Sequence, residues 1–370
     1  MTTLGRGSVY ALASLCVSFR AISTASRETQ KRGFSFVSDC QVAEVTSYAA
    51  LAIAPWRCMT NPQKGAMEGC VMTMEDFYNA LKKIFPRKFP RKGDRTLYHY
   101  TTADTFDKLV DEGGELYCTH YMDLNDDAEF WKGFDYFRDW QKKHTAQESK
   151  EKAIECDRYF SQLKTELKKV HKLYIDATWI MSFSTEKDSL SQWRSYTDRT
   201  NGGVAVGFSK NELENEINKC RNENGFDVAL LPCIYYDSGI DKRLDRLIDL
   251  LLESIDKNKT NWHEELARAI YLFSSIVKDG SFRLEHEWRI IIQATNIEAL
   301  KGAKVIGGKV RLPLGVGVNG ERRVGMLMKE VLLSPHGNKN RLLHSVVLPK
   351  YSCDKLSYNV HSSKLPYNGK

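Results

Sequence analysis

Residues 97–110 read LYHYTTADTFDKLV, and this stretch sets the fold class. LYHYT alternates apolar and polar positions and is rich in aromatics, the pattern of a half-buried strand. A threonine pair follows, then Phe106, Leu109 and Val110 at helical spacing, so Thr101 or Thr102 caps a short helix. Gly113-Gly114 stops it. The same change of period recurs downstream. ELYCTHY, ATWIMSFS, GGVAVGFS, VALLPCIYY and EWRIIIQA read as strands, and shorter strands are expected at 309–313, 330–334 and 357–361. Helices are expected after LNDDAEF, where Phe130, Phe134, Phe137 and Trp140 keep helical spacing, at about 150–173, at 210–221 behind a Ser209-x-x-Glu212 capping box, and across 241–278. No short βαβ period appears. The expectation is therefore an α+β chain with a mixed, mostly antiparallel sheet and long inserted helices.

Upstream of this body the composition changes. Residues 1–70 are rich in Ser, Ala, Thr and Cys, and their first acid is Glu28. They resemble a transit peptide in composition. The favoured readings are a disordered tail or an upstream extension of the reading frame, with the natural start at Met72 or Met74. Residues 71–94 read as a short amphipathic helix, carrying Phe77, Leu81 and Phe85, and a basic linker broken by Pro86 and Pro90. Residues 95–370 read as one α+β domain.

The 370 residues carry 54 Lys+Arg, 47 Asp+Glu and a net charge of +7. Residues 1–94 hold 13 of the basic and 7 of the acidic groups, so the body is nearly neutral. Nucleic acid is therefore not an expected partner of the body. No apolar run is long enough for a spanning helix. The nine Cys include no C-x-x-C pair, which excludes a zinc ribbon and fits free thiols in a reducing, cytoplasmic setting.

Standard catalytic motifs are missing. A G-x-G-x-x-G at Gly315, Gly317 and Gly320 follows Pro313, lacks the later acid, and reads as a glycine-rich turn. More unusual residues lie elsewhere. His99 sits in an aromatic strand beside Tyr100 and Thr101, where a buried, hydrogen-bonded histidine is the plain reading. Ser182 and Ser184 end an apolar strand, where turn hydroxyls are common. Glu285 and Glu287 are two apart at the start of a strand, so a pleat points both to one face. Their repulsion should raise one pKa, and Arg283 and Arg289 are the expected ion-pair partners. Asp126, Asp127 and Glu129 precede a helix, where the dipole favours acids. Trp193 and Tyr196 lie in a polar-aromatic loop that either stacks on a ring or closes the core.

These segments together resemble the bacterial domain-of-unknown-function family 2971. The resemblance covers about residues 95–367. It rests on LYHYTT, LNDDAEF, MSFS, QWRSYTDRTNGGVAVGF, CIYY, LEHEWRIII, EVLLSP and HSSKLPY, in that order. One departure is Asp127, which stands where the family usually has proline. The motif order is also similar to that of ADP-ribosyltransferase folds. That analogy implies NAD as substrate and no metal. It assigns Glu287 to the oxocarbenium-like transition state, Glu285 to the acceptor and His99 to the nicotinamide-side ribose. Ser182 or Ser184 would support the nicotinamide pocket, with Tyr100, Thr101, Trp193 and Tyr196 around it. Two other readings compete. One is a non-catalytic nucleotide- or partner-binding module, in phage defence or a toxin-like system. The other is a metal-dependent hydrolase or nuclease using Asp126, Glu129 and Glu287. The deciding geometry is whether His99, a serine and Glu287 line one cleft, or Glu287 is buried in an ion pair away from His99.

Overall fold

A computed structural model describes residues 73–89, 95–110, 114–124, 129–148, 154, 158, 160–161, 178–224, 226–239, 241–254, 262–294, 302–314, 324–352 and 357–366. They belong to one compact unit, Val45–Lys370. Residues 1–72, Asp126, Asp127 and the glycines 315–320 lie outside the described residues, as does most of the 150–173 helix.

The chain opens with α1 (Met74–Ile84), whose Thr73 and Asp76 form a reciprocal capping box. Met74, Phe77 and Leu81 of α1 are buried in the same core as the strands that follow. The Met74 amide donates to Asp227, 2.9 Å away. Strand β1 (Thr96–Thr102) runs directly into α2 (Ala103–Val110), and the hydroxyl of Thr102 caps it through the Thr105 amide. Next come β2 (Tyr117–His120), α3 (Glu129–Glu148), β3 (Thr178–Ser184), α4 (Leu190–Tyr196), β4 (Gly203–Ser209) and α5 (Lys210–Asn224). The Ser209 hydroxyl caps α5 through the Glu212 amide at 3.1 Å.

The stretch expected as one strand, VALLPCIYY, is two. Strand β5 (Phe226–Pro232) and β6 (Ile234–Tyr236) lie in different sheets. Pro232 ends the ladder because it has no N–H to donate. The expected helix 241–278 is likewise α6 (Lys242–Glu253) and α7 (Trp262–Ile276), and it runs straight into a strand, β7 (Val277–Asp279). The remaining elements are β8 (Glu287–Ala294), β9 (Lys304–Ile306), β10 (Lys309–Pro313), β11 (Met328–Leu333), α8 (Lys339–Ser352) and β12 (Asn359–Ser362).

Ten strands make one sheet, ordered β12-β11-β4-β1-β3-β2-β10-β9, with β8 and then β5 on the other side of β3. All its pairs are antiparallel except β11 with β12. The fold is therefore α+β with a mixed, mostly antiparallel sheet. β6 and β7 form a separate parallel pair.

The sheet forks at β3. β8 pairs with β3 along its whole length. The opposite edge is shared, with β2 on Trp179 and Ile180 and β1 on Ser184 alone. A cross-strand row runs beside the fork through Glu287, Ser184, Tyr98, Gly207 and Glu330. It crosses five strands, about 19 Å at ordinary strand spacing. Directly opposed residues share a face, so Tyr98 and Glu287 lie on one side of the sheet. A Cβ at Gly207 would come within 2.9 Å of Glu330 and 3.0 Å of Tyr98. The missing side chain lets the Tyr98 ring cross β4, where its hydroxyl donates to Glu330 at 2.6 Å.

Candidate functional site

The head of β8 holds a buried ionic cluster. Lys278, at the middle of β7, is 1 % exposed. Its ammonium donates to Glu129 Oε1 at 2.7 Å, Glu285 Oε2 at 2.7 Å and Glu287 Oε2 at 2.6 Å. Arg289 lies two residues along β8, on the same face as Glu287. Its Nε donates to Glu287 Oε1 at 2.7 Å, one terminal nitrogen to Glu129 Oε2 at 2.5 Å, and the other to the Ser275 carbonyl at 2.7 Å. The cluster joins α3 to α7, β7 and β8, three neighbouring elements far from it in the chain. Burying so many charges costs several kcal/mol per ion unless each is paired, and here each is.

Glu285 and Glu287 reach the same ammonium, but not by the pleat the sequence suggests. Glu285 ends a 3-10 turn, Gly280–Glu285, and His286 behind it adopts a left-handed conformation with φ 46 and ψ 46. That reversal, not strand alternation, brings the two carboxylates together. The expected partnership is half right as well. Arg289 pairs with Glu287, whereas Arg283 pairs with Asp237 at 2.7 Å. The principal partner is Lys278, which the sequence reading missed. Its only signal was a lysine directly behind the apolar run YLFSSIV.

The two carboxyls differ electrostatically. Burial works to raise Glu287, but Arg289 and Lys278 overcome it and hold that carboxyl down at about 2. Burial pushes Glu285 up, with the charge of Glu287 adding to it and Lys278 opposing. One of the pair is thus raised, chiefly by burial, with the repulsion from its neighbour a smaller contribution. Burial also opposes the Lys278 charge, yet Glu287 and Glu129 keep its pKa above the ordinary value.

The expected site residues fall into two groups. Ser184 stands opposite Glu287. Its hydroxyl donates to the Glu285 carbonyl at 2.6 Å and accepts from the Glu186 amide at 3.0 Å, so it braces the turn. Ser182 is on the same face, opposite Arg289. Tyr196 ends α4. Its phenol is pushed up by burial and by the charges of Glu285 and Glu287. Tyr98, Tyr100 and Trp193 form a second apolar cluster, against which Tyr196 and Leu365 pack. The Tyr100 ring meets Trp193 edge-on at 4.7 Å, and its hydroxyl donates to the Glu186 carbonyl. The Trp193 indole donates to Asp188 at 2.7 Å.

His99 and Thr101 are not brought to the carboxylates. Register places His99 opposite Val206 and Thr101 opposite Val204, on the face away from Tyr98 and Glu287. His99 Nδ1 instead meets the backbone carbonyl of Ser182 at 3.0 Å. A carbonyl only accepts, so that nitrogen carries the proton. Burial and nearby Arg311 lower the His99 pKa. In the row with Ser184 and Glu287, the β1 position belongs to Tyr98, because side chains alternate along a strand.

These features define a forked α+β sheet protein with a fully paired ionic cluster at the mouth of its late strand. A family model described as a protein of unknown function (DUF2971) matches residues 192–290. That segment runs from α4 into β8 and contains Trp193, Tyr196, Lys278, Glu285, Glu287 and Arg289, so the chain resembles this family in the part that builds the cluster. No curated protein and no solved structure matches the chain. Among the described residues, no helix is long and apolar enough to cross a membrane.

Proposed function

We propose that the chain is a module that binds a nucleotide such as NAD without consuming it. The observation that carries this reading is that Glu287 is buried in an ion pair away from His99, with both its oxygens engaged, by Lys278 and by Arg289. The second reading is an ADP-ribosyltransferase-like enzyme acting on NAD, with Glu287 and Glu285 as its working pair, favoured by one observation: one buried ammonium holds both carboxylates while their environments differ. Pairs whose surroundings push their pKa values apart divide acid–base labour. In this reading the bond from the ribose C1′ to nicotinamide breaks, and its electron pair leaves with nicotinamide. Glu287, held ionised, stabilises the positive charge left on the ribose. The acceptor then bonds to C1′ and gives its proton to Glu285. Tyr100 and Trp193 are buried against each other and close the core rather than stack on a ligand. His99 is given no contact with the reacting ribose, since it lies on the other face.

One experiment separates the two. Purified chain is incubated with NAD, and released nicotinamide is followed by chromatography beside calorimetric binding of NAD. Turnover by wild type, falling at least about a hundredfold in Glu287→Gln, supports transfer, a loss typical of removing one transition-state electrostatic group. NAD bound but never consumed supports the module. No binding and no turnover overturns both.

A further inference from the structure

We propose that the fork between β1 and β2, together with the β9–β10 hairpin beside it, binds the phosphate groups of a nucleotide through Arg311 and Lys304. The nucleotide's identity rests on the NAD reading above, whereas the anion site rests on its own geometry. The hairpin turns through Gly307 and Gly308, both at positive φ. Its register sets Arg311 directly opposite Lys304. Like charges opposed across a ladder are destabilising unless an anion lies between or beside them. Among the described residues neither side chain has a carboxylate partner. Arg311 Nε is shut off from water with no acceptor, an arrangement that is unfavourable until a ligand supplies one. Arg289, by contrast, has each of its donor groups matched to an oxygen. Among the described residues the sheet thus carries one arginine whose donor groups are all met and one whose Nε is not.

Placement makes the second arginine useful. Arg311 pairs with Thr119, and Thr119 with Ile180. It therefore lies across β2 from the fork, on the face that carries Ser182 and Ser184. Ile180 and Ser184 are four residues apart on β3, about 13 Å. The charge of Arg311 also acts on His99 from across the sheet. A guanidinium fits phosphate oxygens in a two-pronged contact, which an ammonium cannot reproduce.

The test uses the full chain and calorimetry with three probes: ADP-ribose, inorganic pyrophosphate and adenosine. ADP-ribose and pyrophosphate should bind, more weakly as salt rises, and adenosine should not. Arg311→Gln should weaken ADP-ribose at least about tenfold, and Arg311→Lys should recover part of the loss. Lys304 is exposed, so Lys304→Gln keeps the fold and should still weaken binding by about threefold. Unchanged ADP-ribose affinity in both glutamine variants would overturn the proposal, as would adenosine binding as tightly as ADP-ribose. Arg311-dependent pyrophosphate binding without NAD turnover would leave the anion site standing and remove the transfer reading. Glu287-dependent turnover with an unchanged KM for NAD in Arg311→Gln would do the reverse.

Discussion

Replacing Lys278 by methionine tests the cluster most directly. Methionine keeps nearly the same volume, so packing changes little and the charge is what is lost. Wild type has three carboxylates facing two cations. In Lys278→Met the same three face Arg289 alone, in a site where Glu287 is only 6 % exposed. Removing one member of a buried pair typically costs about 3–5 kcal/mol, because the partner is left uncompensated. The expected result is a loss of that size at pH 7 in urea unfolding followed by tryptophan fluorescence. The loss should shrink as the pH falls and the carboxylates take up protons. Adding Glu287→Gln to Lys278→Met restores the original charge balance and should recover part of the stability. A variant within about 1 kcal/mol of wild type at pH 7 would show that the cluster is solvated and the argument from burial wrong.

Acid should weaken the native protein through the same group. Glu287 is held at about 2 against an ordinary 4.5, so its contribution, about 3 kcal/mol, is full above pH 4.5 and is lost as the pH falls toward 2. Glu285 acts in the opposite sense, since its raised pKa favours the folded state on protonation. Unfolding measured from pH 6 to pH 3 should therefore fall more steeply in Glu285→Gln than in wild type. The left-handed His286 gives another check. His286→Gly should be nearly neutral, whereas His286→Val should cost about 1–2 kcal/mol in thermal unfolding. Gly207→Ala should cost about 1–3 kcal/mol and detach the Tyr98 hydroxyl from Glu330, visible as a shift in tyrosine absorbance.

The order of strands and helices in the first half of the body is legible in the sequence because it is written in local period. LYHYT, TWIMSFS and GGVAVGFS alternate or run apolar over strand lengths, and Ser209 and Thr102 cap the helices that follow. Where local pattern was ambiguous, the structure decided. VALLPCIYY is uniformly apolar, and only the proline divides it between two sheets. The candidate site was legible as residue types and not as an assembly. Glu285, Glu287 and Arg289 stand out within five residues. Glu129 and Lys278 join them only because α3 and β7 fold against β8.

By itself, then, the sequence determined an α+β chain, a nearly neutral body and a suspicious pair of carboxylates. Tertiary structure alone decided that one lysine grips both, that a left-handed histidine rather than a pleat aligns them, and that His99 faces away. The physical reason is range. Periodicity is a property of neighbours a few residues apart. Ion pairs such as Glu129 with Arg289 form across 160 residues, and which face a strand residue shares with another is fixed by register, which no single strand encodes.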